Sequence, residues 1–235
     1  MIRVVSWNVH GFTDGRRRFS PEPALRILAS LDPDVVALQE VEDRRWAASS
    51  ALDWLAGQGG WSAWHAETLV RRGHSYGNAI LSRLPVSRVV RHNLSVPGCE
   101  PRGALEVDFE ATASDGTPAW RLVSAHLGLR RRERRLQVIR LLSMLGPPGE
   151  HMDVLTGDLN EWRIGGRLLA GLDEAFGHDS RLRTFPAWRP VLPLDRIWVR
   201  PRHRLSIARV ERDIRGASDH LPLVADIHRG ARAEG

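Results

Sequence analysis

The segment LTGDLNEW, residues 155–162, places an acid and an amide two positions apart at the end of an apolar run. Alternate side chains of an extended strand share a face, so Asp158 and Asn160 would point the same way beyond the strand end. Two such oxygen-bearing groups suit a cation or a phosphate, and the same residue types also build turns. The spacing alone leaves these readings open. Glu161 would lie on the opposite face and is expected to be dispensable.

Polar residues of the same kind follow five further apolar runs. Taken singly, each has an ordinary explanation as a turn residue, a solvated acid, a core histidine, a salt-bridge partner or a helix cap. Loops at strand ends are nevertheless the usual place for catalytic groups, because the sheet holds them rigidly. The residues are Asn8, Glu40, His126, Asp195, Asp219 and His220.

Together these residues form a set of oxygen and imidazole groups without a thiolate. Such a set suits Mg²⁺ or Mn²⁺, which take carboxylate, amide and water oxygens and leave positions for a substrate phosphate. Hydrolysis of a phosphodiester also needs a base to activate water and donors for the developing charge, and an imidazole beside an acid supplies the base. The single cysteine, Cys99, excludes a thiolate metal cluster or a disulfide within one chain.

The apolar pattern predicts the elements that must position these residues. Three helices are predicted: one beginning at Ser20-Pro21 and stopped by Asp32-Pro33, a second over about 45–56 ended by Gly57, and a third over about 131–145. Many strands with few helices, not in regular alternation, favour an α+β or mixed α/β layered arrangement. The predicted strands cover residues 3–8, 35–38, 79–81, 105–109, 121–125, 154–155, 196–199 and 221–227.

Seven segments, in order along nearly the whole chain, resemble the motifs of the endonuclease/exonuclease/phosphatase superfamily. The resemblance implies a four-layer α/β sandwich, in which two packed mixed β-sheets carry helices on both outer faces. It also implies an active site at one edge, where strand ends from both sheets converge. The segments are VVSWNVHG, DVVALQEVE, GNAILSRLPV, VSAHLGL, LTGDLNEW, LDRIWV and ASDHLPLVADI.

The resemblance implies a role for each of the polar residues around a metal ion. Glu40 would be the principal Mg²⁺ ligand, assisted by Asn8 and Asp219, with Mn²⁺ as a substitute ion. Asp158 would position or deprotonate the attacking water, and Asn160 would hold the substrate phosphate or that water.

Two histidines would contact the phosphate. His220, oriented by Asp195, would bind the phosphate and transfer a proton, because a carboxylate on one ring nitrogen favours the imidazolium. His126 would bind the scissile phosphate, as in the sphingomyelinase-like and inositol-phosphatase-like branches. DNA-repair members usually carry an acid where His10 stands and a tyrosine on the His126 strand. The only tyrosine here is Tyr76, so an abasic-site endonuclease is less favoured.

The closest resemblance is to a bacterial metal-dependent hydrolase group of uncertain substrate, through its HLGL…ER..Q…L and TFPAWRP segments. A small-molecule or lipid phosphodiester is slightly favoured as substrate. The alternative is a Mg²⁺-dependent DNA endonuclease or exonuclease, and a remote alternative is a non-catalytic phosphate-binding protein. Arginines at 130–135 form either a solvated face or a steering patch, and Trp162, Trp188 or Trp198 could stack bases or touch acyl chains, although most tryptophans of one domain belong to its core.

Composition limits the binding partners and the cellular location that we expect for the chain. Its net charge is +6, and all 34 Lys+Arg residues are arginine, which attracts phosphate-bearing partners such as nucleic acid or anionic lipid but also fits a codon bias. We expect one catalytic domain over residues 1–228 and a flexible tail over 229–235. With no secretory signal and no apolar stretch of about 20 residues, a cytoplasmic monomer without a transmembrane segment is expected.

Overall fold

A computed structural model describes residues 1–14, 18–111, 119–149, 151–163, 167–177, 180–214 and 216–228. The predicted flexible tail, residues 229–235, lies outside the described residues. Strands make up most of the regular structure and form two large sheets and one small hairpin. They are β1 (Ile2–Asn8), β2 (Val35–Asp43), β3 (Arg45–Trp46), β4 (Ser49–Ser50), β5 (Ser62–Arg71), β6 (His74–Ser82), β7 (Arg88–Asn93), β8 (Gly103–Phe109), β9 (Trp120–His126), β10 (Met152–Asp158), β11 (Asp195–Arg200), β12 (Leu205–Val210) and β13 (Leu223–Ile227).

Four α-helices and three short 3₁₀ helices connect the strands of the described part of the chain. None of the helices described is long and apolar enough to cross a membrane. The α-helices are α1 (Glu22–Leu31), α2 (Ala51–Gly59), α3 (Arg131–Leu145) and α4 (Ala170–Phe176). The 3₁₀ helices are His10–Phe12, Arg167–Leu169 and Arg202–Arg204.

Both large sheets are mixed. The first has the order β12-β13-β1-β2-β6-β5, and the second has the order β11-β10-β9-β8-β7. The pairs β1–β2 and β9–β10 are parallel, and the other pairs are antiparallel. Parallel pairing brings the carboxyl ends of β1 and β2 to one edge, and those of β9 and β10 to the same edge of the second sheet.

Alternation along the central strands explains why the sheets pack face to face. In β1, Val4 lies in an apolar cluster shared with Val154 of β10. The next residue, Val5, and then Trp7 pack with residues of α1 and α2. In β10, Leu155 likewise packs on the other side, with α3 and α4. Because successive side chains point to opposite faces, each sheet has one face on its partner and one on helices, which confirms the predicted four-layer sandwich.

All eight predicted strands exist, and α3 has its predicted bounds. The prediction for α2 was wrong at both ends. Its N-terminal part is instead the β3–β4 hairpin, after which Ser50 caps the helix by accepting a hydrogen bond from the Asp53 N–H. The helix continues through Gly57 because Gly60, at φ 70°, adopts the left-handed conformation that ends it. The strands β5, β7 and β12 and the helix α4 were not predicted.

Candidate active site

Three of the predicted site residues lie side by side across the second sheet. Asp158, the last residue of β10, is paired with His126 of β9 on one side and with Asp195 of β11 on the other. All three are buried, with exposed fractions of 4% or less. Strand register therefore fixes their spacing, and local side-chain contacts are not needed to bring them together.

Glu40 reaches the same point from the first sheet. It lies in a bulge of β2 between Leu38 and Val41, with φ at 56°. This left-handed conformation is unfavourable for a glutamate and is held by the surrounding sheet. The Asn8 amide nitrogen donates hydrogen bonds of 3.0 Å to Oε1 of Glu40 and 3.0 Å to Oδ2 of Asp158. Asn8 thus joins the acids of the two sheets.

Asn160 approaches the site through a turn. The strand ends at Asp158, Asn160 has φ 51°, and its backbone N–H donates to Oδ1 of Asp158 at 3.0 Å. The expected alternation along one extended strand was therefore wrong, although both side chains lie beside Nε2 of His126. The Asn160 amide nitrogen donates to the Leu127 carbonyl at 2.9 Å and lies 3.2 Å from Nε2 of His126.

The His220 ring is held by Asp195. Its Nδ1 lies 2.8 Å from Oδ2 of Asp195, which also accepts a hydrogen bond from the Thr184 hydroxyl. Its Nε2 lies 3.7 Å from Oδ2 of Asp158. Burial disfavours the charged ring, but the carboxylates of Asp195 and Asp158 raise the pKa of His220 to about 10. The ring is therefore an imidazolium at neutral pH, and Phe185 packs against it.

His126 has the opposite charge state. Burial and the adjacent Arg102 cation lower the pKa of His126 to about 3, so the ring is neutral at pH 7. Arg102 Nη1 donates to Nδ1 of His126 at 3.2 Å. A neutral imidazole has one N–H and one acceptor nitrogen. Because a guanidinium cannot accept, Arg102 favours a proton on Nε2, whereas the Asn160 amide nitrogen, which is also a donor, favours an unprotonated Nε2. This atom lies 3.7 Å from Asp158 Oδ2 and 3.9 Å from Glu40 Oε1.

The carboxylates differ in their affinity for protons. Burial raises the pKa of Asp158 to about 6, against the effect of the charged His220. Burial would also raise the pKa of Glu40, but the His126 ring, which is charged at such low pH, and hydrogen bonds from Asn8 and Tyr76 lower it to about 2. Glu40 is thus the firmly ionised acid of the site, and Asp158 is the acid that can take up a proton near neutrality.

Asp219 lies at the exposed rim of the site. Its side chain is 44% exposed, yet its Oδ1 is shielded from solvent and accepts no hydrogen bond. His10, in a left-handed conformation at φ 46°, places Nδ1 3.5 Å from that oxygen and 3.8 Å from Oε2 of Glu40. The ring of His10 therefore stands between Glu40 and Asp219.

A family model with the description Endonuclease/Exonuclease/phosphatase family matches residues 5–220 of this chain. The chain belongs to the endonuclease/exonuclease/phosphatase family. YbhP of Escherichia coli, described as an uncharacterized protein, is 34% identical in an alignment that covers 97% of this chain and 96% of YbhP.

Solved structures share the fold of this family. A family protein from Beutenbergia cavernae aligns with a TM-score of 0.76 at 23% identity, covering 97% of this chain and 72% of that one. A functionally unknown conserved protein from Enterococcus faecalis aligns with a TM-score of 0.80 at 20% identity, covering 97% of this chain and all of that one.

Endonuclease/exonuclease/phosphatase family proteins are metal-dependent phosphoesterases, and the described residues of this chain offer metal-binding groups. Two compact sets have ligand atoms within 4.8 Å of one another. Both sets contain Asp158, and their donors are carboxylate oxygens, which suit hard divalent ions, and imidazole nitrogens, which suit transition-metal ions. The sets are Glu40–His126–Asp158 and Asp158–Asp195–His220.

All eight predicted site residues therefore lie in or beside one cluster, and four contributors were not predicted. Tyr76 hydrogen-bonds Glu40, Arg102 contacts His126, Thr184 contacts Asp195, and His10 stands between Glu40 and Asp219. The sequence signals existed only for His10, which follows Asn8 by two residues, and for Thr184, which begins the TFPAWRP segment.

The expectation that Glu161 is dispensable was wrong in its physical basis. Glu161 is buried, and its Oε2 lies 3.6 Å from Nη2 of the buried Arg134. Arg134 also donates to the carbonyls of Gly128 and Leu129, directly after His126. The pair therefore ties the Asn160 turn to the start of α3. The two buried charges depend on each other.

Proposed function

We propose that this protein hydrolyses phosphodiesters by divalent-metal-assisted attack of water on phosphorus. One observation carries the proposal. The firmly ionised Glu40 of one sheet and the proton-accepting Asp158 of the other are joined by Asn8, with a charged His220 and a neutral His126 on either side. Anion-binding donors, a water-activating acid and a metal-binding acid thus surround one point.

Glu40, Asn8 and Asp219 are the residues we assign to the ion, which we take to be Mg²⁺ with Mn²⁺ as a substitute. Metal ligands must be deprotonated, which favours Glu40 and disfavours the protonated His220. The unpartnered Oδ1 of Asp219 also fits a ligand role. When bound, the ion would neutralise phosphate charge and lower the pKa of a bound water.

The remaining residues bind the phosphate and move protons. Asp158, with its pKa raised to about 6, accepts the proton of the attacking water, and Asn160 positions that water or a phosphate oxygen. The Nε2–H groups of His220 and His126 donate to phosphate oxygens, and the charge of His220 offsets the developing negative charge. Asp195 keeps His220 oriented and charged.

Two cavities flank the acids and favour a diester, which carries an organic group on each side of its phosphorus. One, of about 390 Å³ beside Glu40, is lined by Arg44, Arg71 and Arg72. The other, of about 460 Å³, lies beside Asp219 and has apolar walls. These walls include Trp188, which is 82% exposed. A polar group on one side and an apolar group on the other match a lipid or small-molecule diester.

The Trp188 wall also supports a second candidate function, a Mg²⁺-dependent nuclease. An exposed indole can stack on a base, and the three arginines of the smaller cavity would contact neighbouring phosphates. Nuclease binding should weaken steeply with salt, because each phosphate contact releases counterions. Binding of a phospholipid through an apolar group would depend much less on salt.

The test is hydrolysis of bis(p-nitrophenyl) phosphate with Mg²⁺ or Mn²⁺, with and without a chelator. We expect metal-dependent turnover that His220→Ala reduces at least about a hundredfold. His203→Ala, an exposed histidine on a 3₁₀ helix, is the control and should keep the wild-type rate. Equal rates for wild type and His220→Ala would refute the mechanism.

A substrate panel then separates the two candidate functions. Phospholipids are compared with single-stranded, nicked and abasic DNA under the same metal conditions. Faster cleavage of phospholipids supports the first function. Faster cleavage of DNA, with a steep salt dependence, supports the second.

A further inference from the structure

The outer face of α3 carries apolar side chains that the core does not use. Its inner face is buried on the second sheet and includes Val138 and Leu141. On the outer face Leu136 is 46% exposed and Ile139 is 55% exposed. The two lie three residues apart and therefore form one patch. The packing of the described residues does not explain why these two exposed side chains are apolar.

A groove runs between this helix and the start of α4. Its volume is about 760 Å³, and its floor is aliphatic, with no aromatic side chain among the described residues that line it. Among the described residues that line the groove, four are arginines and none is acidic. The arginines are Arg131, Arg132, Arg135 and Arg167, and the aliphatic side chains include Val138, Ile139, Leu142 and Leu168.

This combination selects a class of partner. Four cations without an acid attract an anionic partner. Aliphatic side chains favour hydrocarbon, whereas nucleic-acid bases stack on aromatic rings, which the lining residues lack. An anionic phospholipid offers a phosphate for the arginines and an acyl chain for the floor.

We propose that the groove between α3 and α4, defined by these residues, binds an anionic phospholipid bilayer. The first turn of α3 lies five residues after His126, so binding would hold the edge that carries the acids close to lipid headgroups. Binding is independent of the proposed hydrolysis, because neither Glu40 nor Asp158 lines the groove.

The test is cosedimentation of the full chain with phosphatidylcholine vesicles, prepared with and without phosphatidylglycerol. The wild type should bind only the vesicles that contain phosphatidylglycerol, and high salt should weaken binding. Arg132→Glu with Arg135→Glu should lower the vesicle affinity at least about tenfold. Arg26→Glu with Arg45→Glu is the charge-matched control, on the opposite outer layer, and should change affinity far less.

A second pair of variants tests the apolar floor. Ile139→Ser should weaken vesicle binding, whereas Ile207→Ser, at a residue of nearly equal exposure on β12, should not. Thermal unfolding of each variant checks that the fold is intact. The proposal is overturned if the wild type does not bind vesicles with phosphatidylglycerol, or if the two arginine pairs behave alike. It is also overturned if Ile139→Ser has no effect, because the groove would then be a general polyanion site.

Discussion

Arg102 stands against His126: its Nη1 lies 3.2 Å from Nδ1 of the ring, and both side chains are buried. Because a guanidinium can only donate, this contact favours a ring that accepts at Nδ1 and carries its proton on Nε2, against the Asn160 amide nitrogen that faces Nε2. The same cation helps to keep the ring neutral. Arg102 is thus a positioning residue that favours an N–H on the ring atom nearest Glu40 and Asp158.

Replacing Arg102 by Met should therefore release the ring. We expect a loss of turnover of at least about tenfold, as for other residues that orient an active-site imidazole. Nitrogen-15 NMR of His126 should show less of the Nε2–H tautomer in this variant than in the wild type. Arg26→Met, at an exposed residue of α1, serves as the control. An unchanged tautomer in Arg102→Met would contradict this role.

Asp195→Asn tests whether the Asp195 carboxylate supports His220 in turnover. An amide is nearly the same size as a carboxylate, so the fold and the thermal midpoint should be almost unchanged. The ring would lose the carboxylate that holds it charged and oriented. By comparison with the equivalent change in a serine-protease triad, turnover should fall about a thousandfold or more. Steady-state kinetics check this, and near wild-type turnover would remove Asp195 from the site.

An ion bound by Glu40 and an ion bound by the acids of the second sheet would respond differently to substitution of these residues. In the wild type, added Mg²⁺ or Mn²⁺ should raise the thermal midpoint, because the ion binds only the folded chain. Glu40→Gln should abolish the increase, and Glu22→Gln, at an exposed residue of α1, should not. If Asp195→Asn abolishes the increase and Glu40→Gln does not, the ion belongs to the Asp158–Asp195–His220 set instead.

A steric constraint requires a glycine at position 157, the first residue of the GDLN motif. Its φ is 135°, and a Cβ on it would lie 1.9 Å from the backbone oxygen of Ala125 on the neighbouring strand. Gly157→Ala should therefore lower the free energy of unfolding by about 3 kcal/mol or more. Gly57→Ala, in open space on α2, should raise it by about 0.5–1 kcal/mol. Urea denaturation measures both, and equal effects would contradict the steric explanation.

The apolar pattern predicted the strands, and the residues proposed for the site lie near one another because they interrupt or follow those strands at their ends. Asp158 and Asp195 could be placed once their strands were predicted, because strand register brings the two residues together. Glu40 could be placed at the end of an apolar run, but its bulge and left-handed conformation depend on pairing with β6, which no local pattern shows.

Other features could not be predicted because they depend on contacts distant in the chain. Arg102 and Tyr76 have no local pattern that marks them, and they join the site only when β6 and β8 flank it. The strand β5 lies at the edge of its sheet and mixes exposed and half-buried residues, so it lacks clean alternation. The β3–β4 hairpin replaced the predicted start of α2 because Ser50, and no earlier residue, caps the helix.

Glu161→Gln should show that the last acid of LTGDLNEW is structural. Glu161 and Arg134 are both about 2% exposed, so the substitution leaves a buried guanidinium without its carboxylate. Losing one partner of a buried ion pair costs about 3–5 kcal/mol, whereas replacing both partners by uncharged groups costs much less. Urea denaturation should therefore give a large loss for Glu161→Gln and a partial recovery in the double variant with Arg134→Met. Recovery should be incomplete because Arg134 also donates to the carbonyls of Gly128 and Leu129. A double variant less stable than Glu161→Gln alone would mean that those carbonyl contacts, and not the ion pair, hold the Asn160 turn against α3.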